Sequence, residues 1–432
     1  MSARILLRRC QFSALNNRGF IALAKKDLAL LTLQSLVYLP VLIFLTKGTV
    51  VVLVIAVICG IFYVRSRLRF KPFNVWTLLL VTGAVSAIWS ITPEQSLERA
   101  VKLALFLLLL GGLVHVVNRW SEADRRYLAD LGRRAWLVSL LIVLPLVIFE
   151  GELKTSLVAA LPGQETKDFV LVWKPVSNAA VIILVVTAFP LLGHAISTGR
   201  AKKYVFLSLV GLFAAVFASD STSALFGLVA GLFIWFLYVR YTRQTAKFLT
   251  VALPLAILAM PILVYPLANN PEPIARSIPN FPNSFIHRLH IWDFTLDRIV
   301  ERPLLGWGLD TSRAIPGGTD LRPTHYVVPW SDKPITHPDQ NLPLHPHNAA
   351  LQIWLELGLF GVIAFMFAVW RLIRTQLVLR GDGPMAGFIV CVMAIYCVAY
   401  GLMQSWWLAF IFLAWATAKA VGPSEPQTEM DR

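Results

Sequence analysis

The stretch SNAAVIILVVTAFPLLGHAIS, residues 177–197, decides the fold class of this chain. It contains no Asp, Glu, Lys or Arg, and as a helix it is long enough to cross the roughly 30 Å of hydrocarbon in a bilayer. Inside lipid every backbone polar group needs an internal partner, and a helix supplies one. The stretch therefore predicts a membrane-spanning helix.

Similar apolar runs recur along almost the whole chain. Of its 432 residues, 57% are hydrophobic and 15% are charged, which is too apolar for a soluble protein of this length. The sequence predicts an all-α polytopic membrane protein of about twelve transmembrane helices. We expect these spans near residues 28–46, 49–64, 74–91, 100–118, 135–149, 177–197, 203–219, 221–239, 247–267, 348–370, 384–402 and 404–420.

The net charge of +15 belongs to the connections between the spans. Lys and Arg form six short clusters, all on one side of the predicted bundle, near residues 4–26, 65–71, 119–134, 200–203, 240–247 and 371–380. By the positive-inside rule this side is cytoplasmic. We therefore expect a multi-pass protein with both termini in the cytoplasm, a retained first span, and no nucleic-acid partner.

One outward connection is long. We expect residues 1–267 to form an N-terminal bundle of about nine spans, 268–347 a periplasmic loop, and 348–432 about three spans with a short cytoplasmic tail. The loop contains a predicted amphipathic helix at the membrane surface, which ends at Pro303. Its apolar face is formed by Phe285, Leu289, Trp292, Leu296 and Ile299. The rest, to Pro346, lacks periodicity and is expected to be irregular. No cysteine lies in the loop, so a disulfide there is excluded.

The end of this loop concentrates histidines. Six of the eight lie in the loop: His287, His290, His325, His337, His345 and His347. We expect Asn348 to be the N-cap of the next span, which puts His347 at a positive helix end that favours an anion such as a phosphate. A zinc site is disfavoured because no His-Glu-x-x-His helix occurs. No metal ligands are predicted.

Three motifs carry a family resemblance. The first motif resembles the signature of O-antigen ligases, within the O-antigen ligase and polymerase superfamily. It consists of His347-Asn348, then Gly358 after nine residues, then Gly361 after two more. The run from Arg288 to Trp292, followed by Pro303 to Gly308, agrees with it, as does the run from Trp89 to Arg99. One departure is that many relatives carry Ser-Arg near the start of a middle span, where this chain reads Ser219-Asp220-Ser221.

The resemblance implies a metal-independent glycosyltransferase of the GT-C type without a cofactor. The donor would be a glycan linked to polyprenyl (undecaprenyl) diphosphate, and the acceptor a sugar hydroxyl of the lipid A core. The reaction would belong to lipopolysaccharide biosynthesis and take place at the periplasmic face of the bacterial inner membrane, in contact with membrane lipids.

Candidate catalytic residues follow from this chemistry. A neutral His347 imidazole can take the proton of an acceptor hydroxyl, and the planar guanidinium of Arg288 matches phosphate oxygens. The alternatives are a capping histidine, and an arginine at the surface or paired with Asp293. Glu356, inside a span, is expected to have a structural hydrogen-bonding role because an unpaired carboxylate there is costly.

Further residues are candidates for substrate binding. Arg99 and Lys102 would contact the donor diphosphate, or lipid headgroups in the alternative interpretation. Asn348 would orient His347, while Trp292 and Trp307 would pack on lipid or sugar. Three outward lysines could attract an anionic donor or phosphorylated core sugars, although ordinary loop charges are the favoured interpretation: Lys154, Lys167 and Lys174.

Three other functions remain open. An O-antigen polymerase would extend the same donor, but the Arg-x10-Gly pattern of polymerases is absent from the large loop. A protein O-oligosaccharyltransferase is a second alternative. A secondary transporter is a third, although we find no internal repeat and most charged positions lie at the ends of spans.

Overall fold

A computed structural model of the chain describes residues 46–64, 75–149, 166–199, 202–269, 271, 273, 283–326, 335–379 and 381–422. Twelve α-helices lie in these described ranges. They are α1 (Thr49–Val64), α2 (Val75–Val85), α3 (Pro93–Val117), α4 (Glu122–Ile148), α5 (Thr166–Ser197), α6 (Lys202–Ala218), α7 (Thr222–Arg240), α8 (Thr242–Ala268), α9 (Asn283–Glu301), α10 (Ala349–Ile373), α11 (Gly383–Tyr396) and α12 (Ser405–Val421).

The helices confirm a polytopic membrane protein. Six are long and apolar enough to cross a bilayer, and four apolar helices are shorter, among the described residues. The predicted span 28–46 falls largely outside these residues. A total of twelve spans therefore stays a prediction, as do the GT-C fold and the three-part division of the chain.

Several helices begin earlier than their apolar runs predict. Helix α4 starts at Glu122 because Ser121 and Asp124 form a capping box. The Ser121 Oγ accepts a hydrogen bond from the Asp124 amide (3.2 Å), while the Asp124 carboxylate accepts one from the Ser121 amide (3.3 Å). Helix α3 starts at Pro93. Such polar first turns are invisible to hydropathy, which detects the part of a helix that matches lipid.

The bundle packs around α5, whose apolar part is almost entirely buried. Two neighbouring helices, α7 and α11, approach each other closely at glycines. A β-carbon on Gly231 would lie 2.8 Å from the Gly387 carbonyl oxygen, and one on Gly387 would lie 2.6 Å from the Phe189 ring of α5. Small residues at helix contacts allow this approach in membrane proteins.

Helix α9 is the predicted amphipathic helix of the loop. Its apolar face is buried, with Leu289 and Trp292 at 0% and 3% exposure. This face belongs to a cluster with Val264 of α8 and Leu351 and Leu355 of α10. The predicted apolar face is thus covered by protein, and the position of α9 at the membrane surface stays a prediction.

The segment predicted to be irregular contains a β-hairpin. Strand β1 (Leu321–Tyr326) pairs with β2 (Ile335–Gln340) in antiparallel register, with Pro323 opposite Pro338. The sequence prediction missed these strands because proline in a run argues against a strand, and a two-stranded hairpin tolerates it at unpaired edges. An ion pair between Arg322 and Asp293 (3.0 Å) ties the hairpin to α9.

Helix α10 is interrupted at Gly358, which has φ 59° and ψ −160°. The break frees backbone groups that bind the segment 303–308. The amides of Trp307 and Gly308 donate to the carbonyls of Leu355 (3.0 Å) and Glu356 (2.8 Å). The amide of Leu359 donates to the carbonyl of Pro303 (2.9 Å). Two of the sequence motifs are therefore joined by backbone hydrogen bonds.

Candidate active site

His347 lies at the start of α10, in a left-handed backbone conformation with φ 54°. Its amide donates to Nδ1 of His345 (3.1 Å), and the two rings lie 4.3 Å apart between centroids. The next residue, Asn348, is the predicted N-cap. Its Oδ1 accepts hydrogen bonds from the amides of Ala350 and Leu351, both at 3.1 Å. This cap fixes the backbone from which His347 projects.

The His347 ring is held in one tautomer. Its Nδ1 lies 2.6 Å from the carbonyl oxygen of Ala399. A carbonyl can only accept, so Nδ1 carries the proton and the lone pair of the neutral ring is on Nε2. Among the described residues, Nε2 has no hydrogen-bond partner. The imidazole is therefore arranged to accept a proton.

The electrostatic surroundings keep this ring neutral. Burial lowers the pKa of His347 to about 4, and the nearby Arg288 and His287 act in the same direction against the opposing hydrogen bond to Ala399. Burial, together with His347 and Arg313, lowers the pKa of His345 to about 3. Both histidines are thus unprotonated at neutral pH.

Arg288 lies on α9, close enough to His347 to influence its titration. Its Nη1 donates a long hydrogen bond to Ser284 Oγ (3.4 Å), and none of the described carboxylates forms an ion pair with it. Asp293, the alternative partner considered from the sequence, pairs with Arg322. Burial lowers the pKa of Arg288, though a guanidinium remains charged at pH 7. Its charge is available to an anion.

An apolar cavity of about 380 Å³ adjoins these residues. Arg288 is the one charged side chain among its described lining residues, which are Thr222, Phe226, Met260, Val264, Leu267, Phe285, Arg288, Trp292, Asn348, Cys397 and Val398. Such a cavity suits a hydrocarbon chain whose headgroup is an anion. A larger cavity, of about 530 Å³, lies at the opposite ends of the helices and includes Arg125 and Asp382.

The stretch that departs from the family pattern borders the apolar cavity. Asp220 has a φ of 52°, and Ser221 caps α7 by accepting a hydrogen bond from the Ala224 amide (3.4 Å). Thr222, the next residue, lines the cavity. The apolar cavity therefore reaches the first turn of α7, where Thr222 is its lining residue.

The other two candidate cations are paired with carboxylates. Arg99 contacts Asp310 through Nε (2.7 Å) and Nη2 (2.6 Å), and Lys102 bonds to Glu98. Neither lines the apolar cavity that contains Arg288. Arg99 and Lys102 therefore line a cavity other than the one that contains Arg288.

Glu356 organises the buried side of this region. Its carboxylate accepts hydrogen bonds from the Asp310 amide (2.8 Å), the Ser312 hydroxyl (2.5 Å) and the Gln352 amide group (3.0 Å). The predicted structural role of Glu356 is confirmed. Its partner Gln352 also accepts a hydrogen bond from the amide of Leu402 (2.9 Å).

The two candidate tryptophans are buried. Trp292 donates from Nε1 to the Pro346 carbonyl (2.8 Å), and its ring lines the apolar cavity. Trp307 donates from Nε1 to the Arg298 carbonyl (2.8 Å), and the Arg302 guanidinium lies 4.1 Å from the ring centroid. Trp307 is 6% exposed, so its position favours packing over the expected contact with lipid or sugar.

Sequence reasoning missed the connection between α11 and α12, residues 397–404, which we call the 397–404 turn. It supplies the Ala399 carbonyl to His347, and a β-carbon on Gly401 would lie 2.9 Å from the His345 ring. A backbone carbonyl has no residue signature, so no sequence signal identifies this contact.

The remaining candidates lie apart or outside the described residues. His337 is an exposed residue of β2, bonded to Asp339 (2.9 Å). Lys154 and the side chains of Lys167, Lys174 and His325 lie outside the described part of the chain. The described residues contain no group of three or more potential metal ligands.

Comparisons with known proteins agree with these motifs. Residues 207–366 match the model of a family described as O-Antigen ligase. This range includes Arg288, His347 and the break at Gly358. The resemblance to O-antigen ligases predicted from the sequence is confirmed.

Individual relatives are similar over part of the chain. Proteins named "Putative polysaccharide ligase" from Rickettsia conorii and Rickettsia prowazekii are 29% and 28% identical to it, over 52% and 44% of this chain and 53% and 45% of theirs. One from Rickettsia bellii is 30% identical over 44% of this chain and 45% of its own. The chain thus spans about half the length of the curated relatives it matches. No solved structure matches the chain.

Proposed function

We propose that this protein is an O-antigen ligase that transfers a glycan from undecaprenyl diphosphate to a sugar hydroxyl of the lipid A core. The family match supports a polysaccharide ligase in general. One observation carries the finer proposal: a neutral imidazole with its lone pair on Nε2 lies near Arg288, which lines an apolar cavity and has no carboxylate partner among the described residues.

Each part of this arrangement corresponds to a part of the donor. The apolar cavity receives the first units of the polyprenyl chain from the bilayer. Arg288 then meets the diphosphate, which a planar guanidinium can bind through two parallel hydrogen bonds. The charge of Arg288 also stabilises the negative charge that develops on the leaving diphosphate.

The chemical step needs a base on the acceptor side. Nε2 of His347 takes the proton of the acceptor hydroxyl while its oxygen attacks the anomeric carbon of the donor sugar. The bond from that carbon to the diphosphate oxygen breaks, and its electron pair leaves with the polyprenyl diphosphate. The Ala399 carbonyl keeps Nδ1–H oriented and stabilises the imidazolium that forms. A single displacement of this kind inverts the anomeric centre.

The cellular setting of the proposal follows the charge pattern of the sequence. We place the site at the periplasmic face of the inner membrane, opposite the basic clusters. The enzyme would act in lipopolysaccharide biosynthesis as a membrane glycosyltransferase of the GT-C type, without a metal or cofactor.

The proposal is tested by transfer with the purified protein in lipid vesicles. Undecaprenyl-diphosphate-linked glycan and lipid A core are supplied with EDTA, and product is followed by gel mobility. We expect wild type to form the conjugate, and His347→Ala to lose at least about 100-fold in rate, the contribution typical of a general base. The matched control is His337→Ala, which removes an exposed histidine of the same loop.

Three results would contradict this function. Lengthening of the donor glycan without transfer to core indicates a polymerase. Equal losses of transfer rate in His347→Ala and His337→Ala would show that His347 is not the general base. Retention of the anomeric configuration replaces the single displacement by a two-step route.

A further inference from the structure

A second cavity on the described chain, lined by α3 and the segment after Gly308, has a different chemistry. We call it the polar cavity. Its volume is about 380 Å³, and every described lining residue is charged or carries an amide: Glu94, Gln95, Glu98, Arg99, Lys102 and Asp310. It resembles neither the apolar cavity nor a basic phosphate site.

The cations of the polar cavity are already neutralised. Arg99 is 22% exposed and is bound to Asp310 through two nitrogens, while Lys102 is bound to Glu98. Three carboxylates face two cations. A diphosphate entering this cavity would meet a slight excess of negative charge, so the polar cavity is unsuited to the donor headgroup.

The same groups suit the hydroxyls of a sugar. A hydroxyl both donates and accepts hydrogen bonds, a carboxylate accepts, and an amide does both. The Gln95 amide nitrogen donates to the Asp310 carbonyl (2.9 Å), which leaves its oxygen for a ligand. The Glu94 carboxylate is exposed and has no partner among the described residues. The cavity thus offers acceptors in a frame held by two ion pairs.

The position of the polar cavity relates it to the proposed base. Arg99 donates from Nη1 to the Met403 carbonyl (3.2 Å), and the Ala399 carbonyl accepts from His347. Both carbonyls belong to the 397–404 turn. Four residues of chain span at most about 14 Å, so the carbonyl that accepts from Arg99 and the carbonyl that accepts from His347 lie within this distance of each other.

We propose that the polar cavity binds a saccharide, holding the hydroxyls of a neutral or amino sugar while His347 acts on the neighbouring reacting centre. This proposal rests on the proposed function, since it assigns one of its glycan substrates to this cavity. The sugar belongs either to the core acceptor or to the donor glycan. The position of the cavity, away from Arg288, favours the acceptor.

Direct binding tests this inference without requiring turnover. The purified full chain in detergent is titrated calorimetrically with core oligosaccharide freed of lipid A, and separately with donor glycan released from its diphosphate. The test variant is Glu94→Trp, which fills the cavity. The control is Asp297→Trp, the same kind of change at an exposed position of α9 outside both cavities.

We expect one of the two saccharides to bind wild type and Asp297→Trp alike, and Glu94→Trp to bind it at least about 10-fold more weakly. The saccharide that binds identifies the source. Glu94→Gln, which keeps the size and removes the charge, is the second variant and should weaken binding by about 3-fold. Glu94→Gln provides the test if Glu94→Trp does not fold.

The inference is overturned if neither saccharide binds wild type, if the Glu94 variants bind as tightly as wild type, or if inorganic pyrophosphate displaces the sugar. Saccharide binding without any transfer to core would instead contradict the proposed function and leave the sugar site in place. The two failures are therefore distinguishable.

Discussion

The backbones of Gly306 and Gly358 are in direct contact: a β-carbon added to Gly358 would lie 2.6 Å from the Gly306 amide nitrogen. A β-carbon on Gly306 would lie 2.5 Å from the Glu356 carbonyl carbon and oxygen. Both residues have positive φ, of 68° and 59°. The two glycines join the loop segment 303–308 to the break in α10, and the site residues at the start of that helix depend on this junction.

Gly306→Ala and Gly358→Ala should each destabilise the protein by at least about 3 kcal/mol, since the added methyl meets backbone as well as an unfavourable φ. Gly381→Ala is the matched control. It has a φ of 63° but nothing within 4 Å of its β-carbon, and should cost about 1–2 kcal/mol. Thermal unfolding in detergent measures the difference. Equal losses in the three variants would show that the contact is not tight.

The pH dependence of transfer should reflect the low pKa of His347. The base is active when neutral, and it becomes protonated as pH falls through about 4. We therefore expect kcat/KM to stay level from pH 8 to about 5, below the value of 6.5 typical of a histidine. Initial rates across pH 4–8 test this. An acid limb centred near 6.5 would contradict the burial of this ring.

Stability should fall as the pH falls below about 6.5, whereas a surface histidine with an unshifted pKa contributes no such dependence. His345 and His347 have folded-state pKa values of about 3 and 4, below the value of 6.5 expected when unfolded. The unfolded chain thus binds more protons between these values, and stability is lost as pH falls from about 6.5 towards 4. Thermal midpoints of wild type and His345→Asn provide the test, and the variant should lose less.

Arg288→Ala should weaken donor binding, because the loss of hydrogen bonds to a charged group costs about 1.5–3 kcal/mol. We expect the donor KM to rise by about 10- to 100-fold, and Arg288→Lys to lie between, since it keeps the charge but not the planar fork. Arg298→Ala on the same helix, where Arg298 pairs with Glu301, is the control. A donor KM that stays unchanged in Arg288→Ala would remove Arg288 from the diphosphate site.

Arg99→Ala should affect stability and leave the donor KM within about 2-fold of wild type. Its ion pair with Asp310 is partly exposed, so a double-mutant cycle with Asp310→Ala should give a coupling of at most about 1 kcal/mol. A large rise in the donor KM would instead restore the role in diphosphate binding that the sequence predicts for Arg99.

The position of His347 at the start of a helix was predictable from the local sequence. Asn348 is a strong N-cap residue before an apolar run, and this places His347 at a helix start. The tautomer of His347 was not predictable, because it depends on the Ala399 carbonyl 52 positions away. The lack of an ion pair at Arg288 among the described residues was not predictable either. Asp293 is close in sequence and could have paired with Arg288, but in the structure it pairs with Arg322.

The fold shows the same division. Apolar runs predicted most of the described membrane helices to within a few residues at their starts, and an amphipathic pattern predicted α9. Helices α3, α4 and α5 begin earlier than predicted because their first turns are polar. Gly358 read as one residue of a continuous span. Its break is stabilised by a segment some fifty residues earlier in the chain, a pairing that periodicity in either segment alone does not encode.

The break in α10 also determines the order in which this half of the protein folds. A helix inserted without the segment 303–308 would hold the amides of Leu359 and Phe360 and the carbonyls of Leu355 and Glu356 without their partners, and each unsatisfied group costs several kcal/mol in lipid. The loop precedes α10 in the chain, so it is synthesised first. The break in α10 is thus completed only when the loop docks onto it, and a deletion of residues 303–308 should leave these backbone groups without their partners.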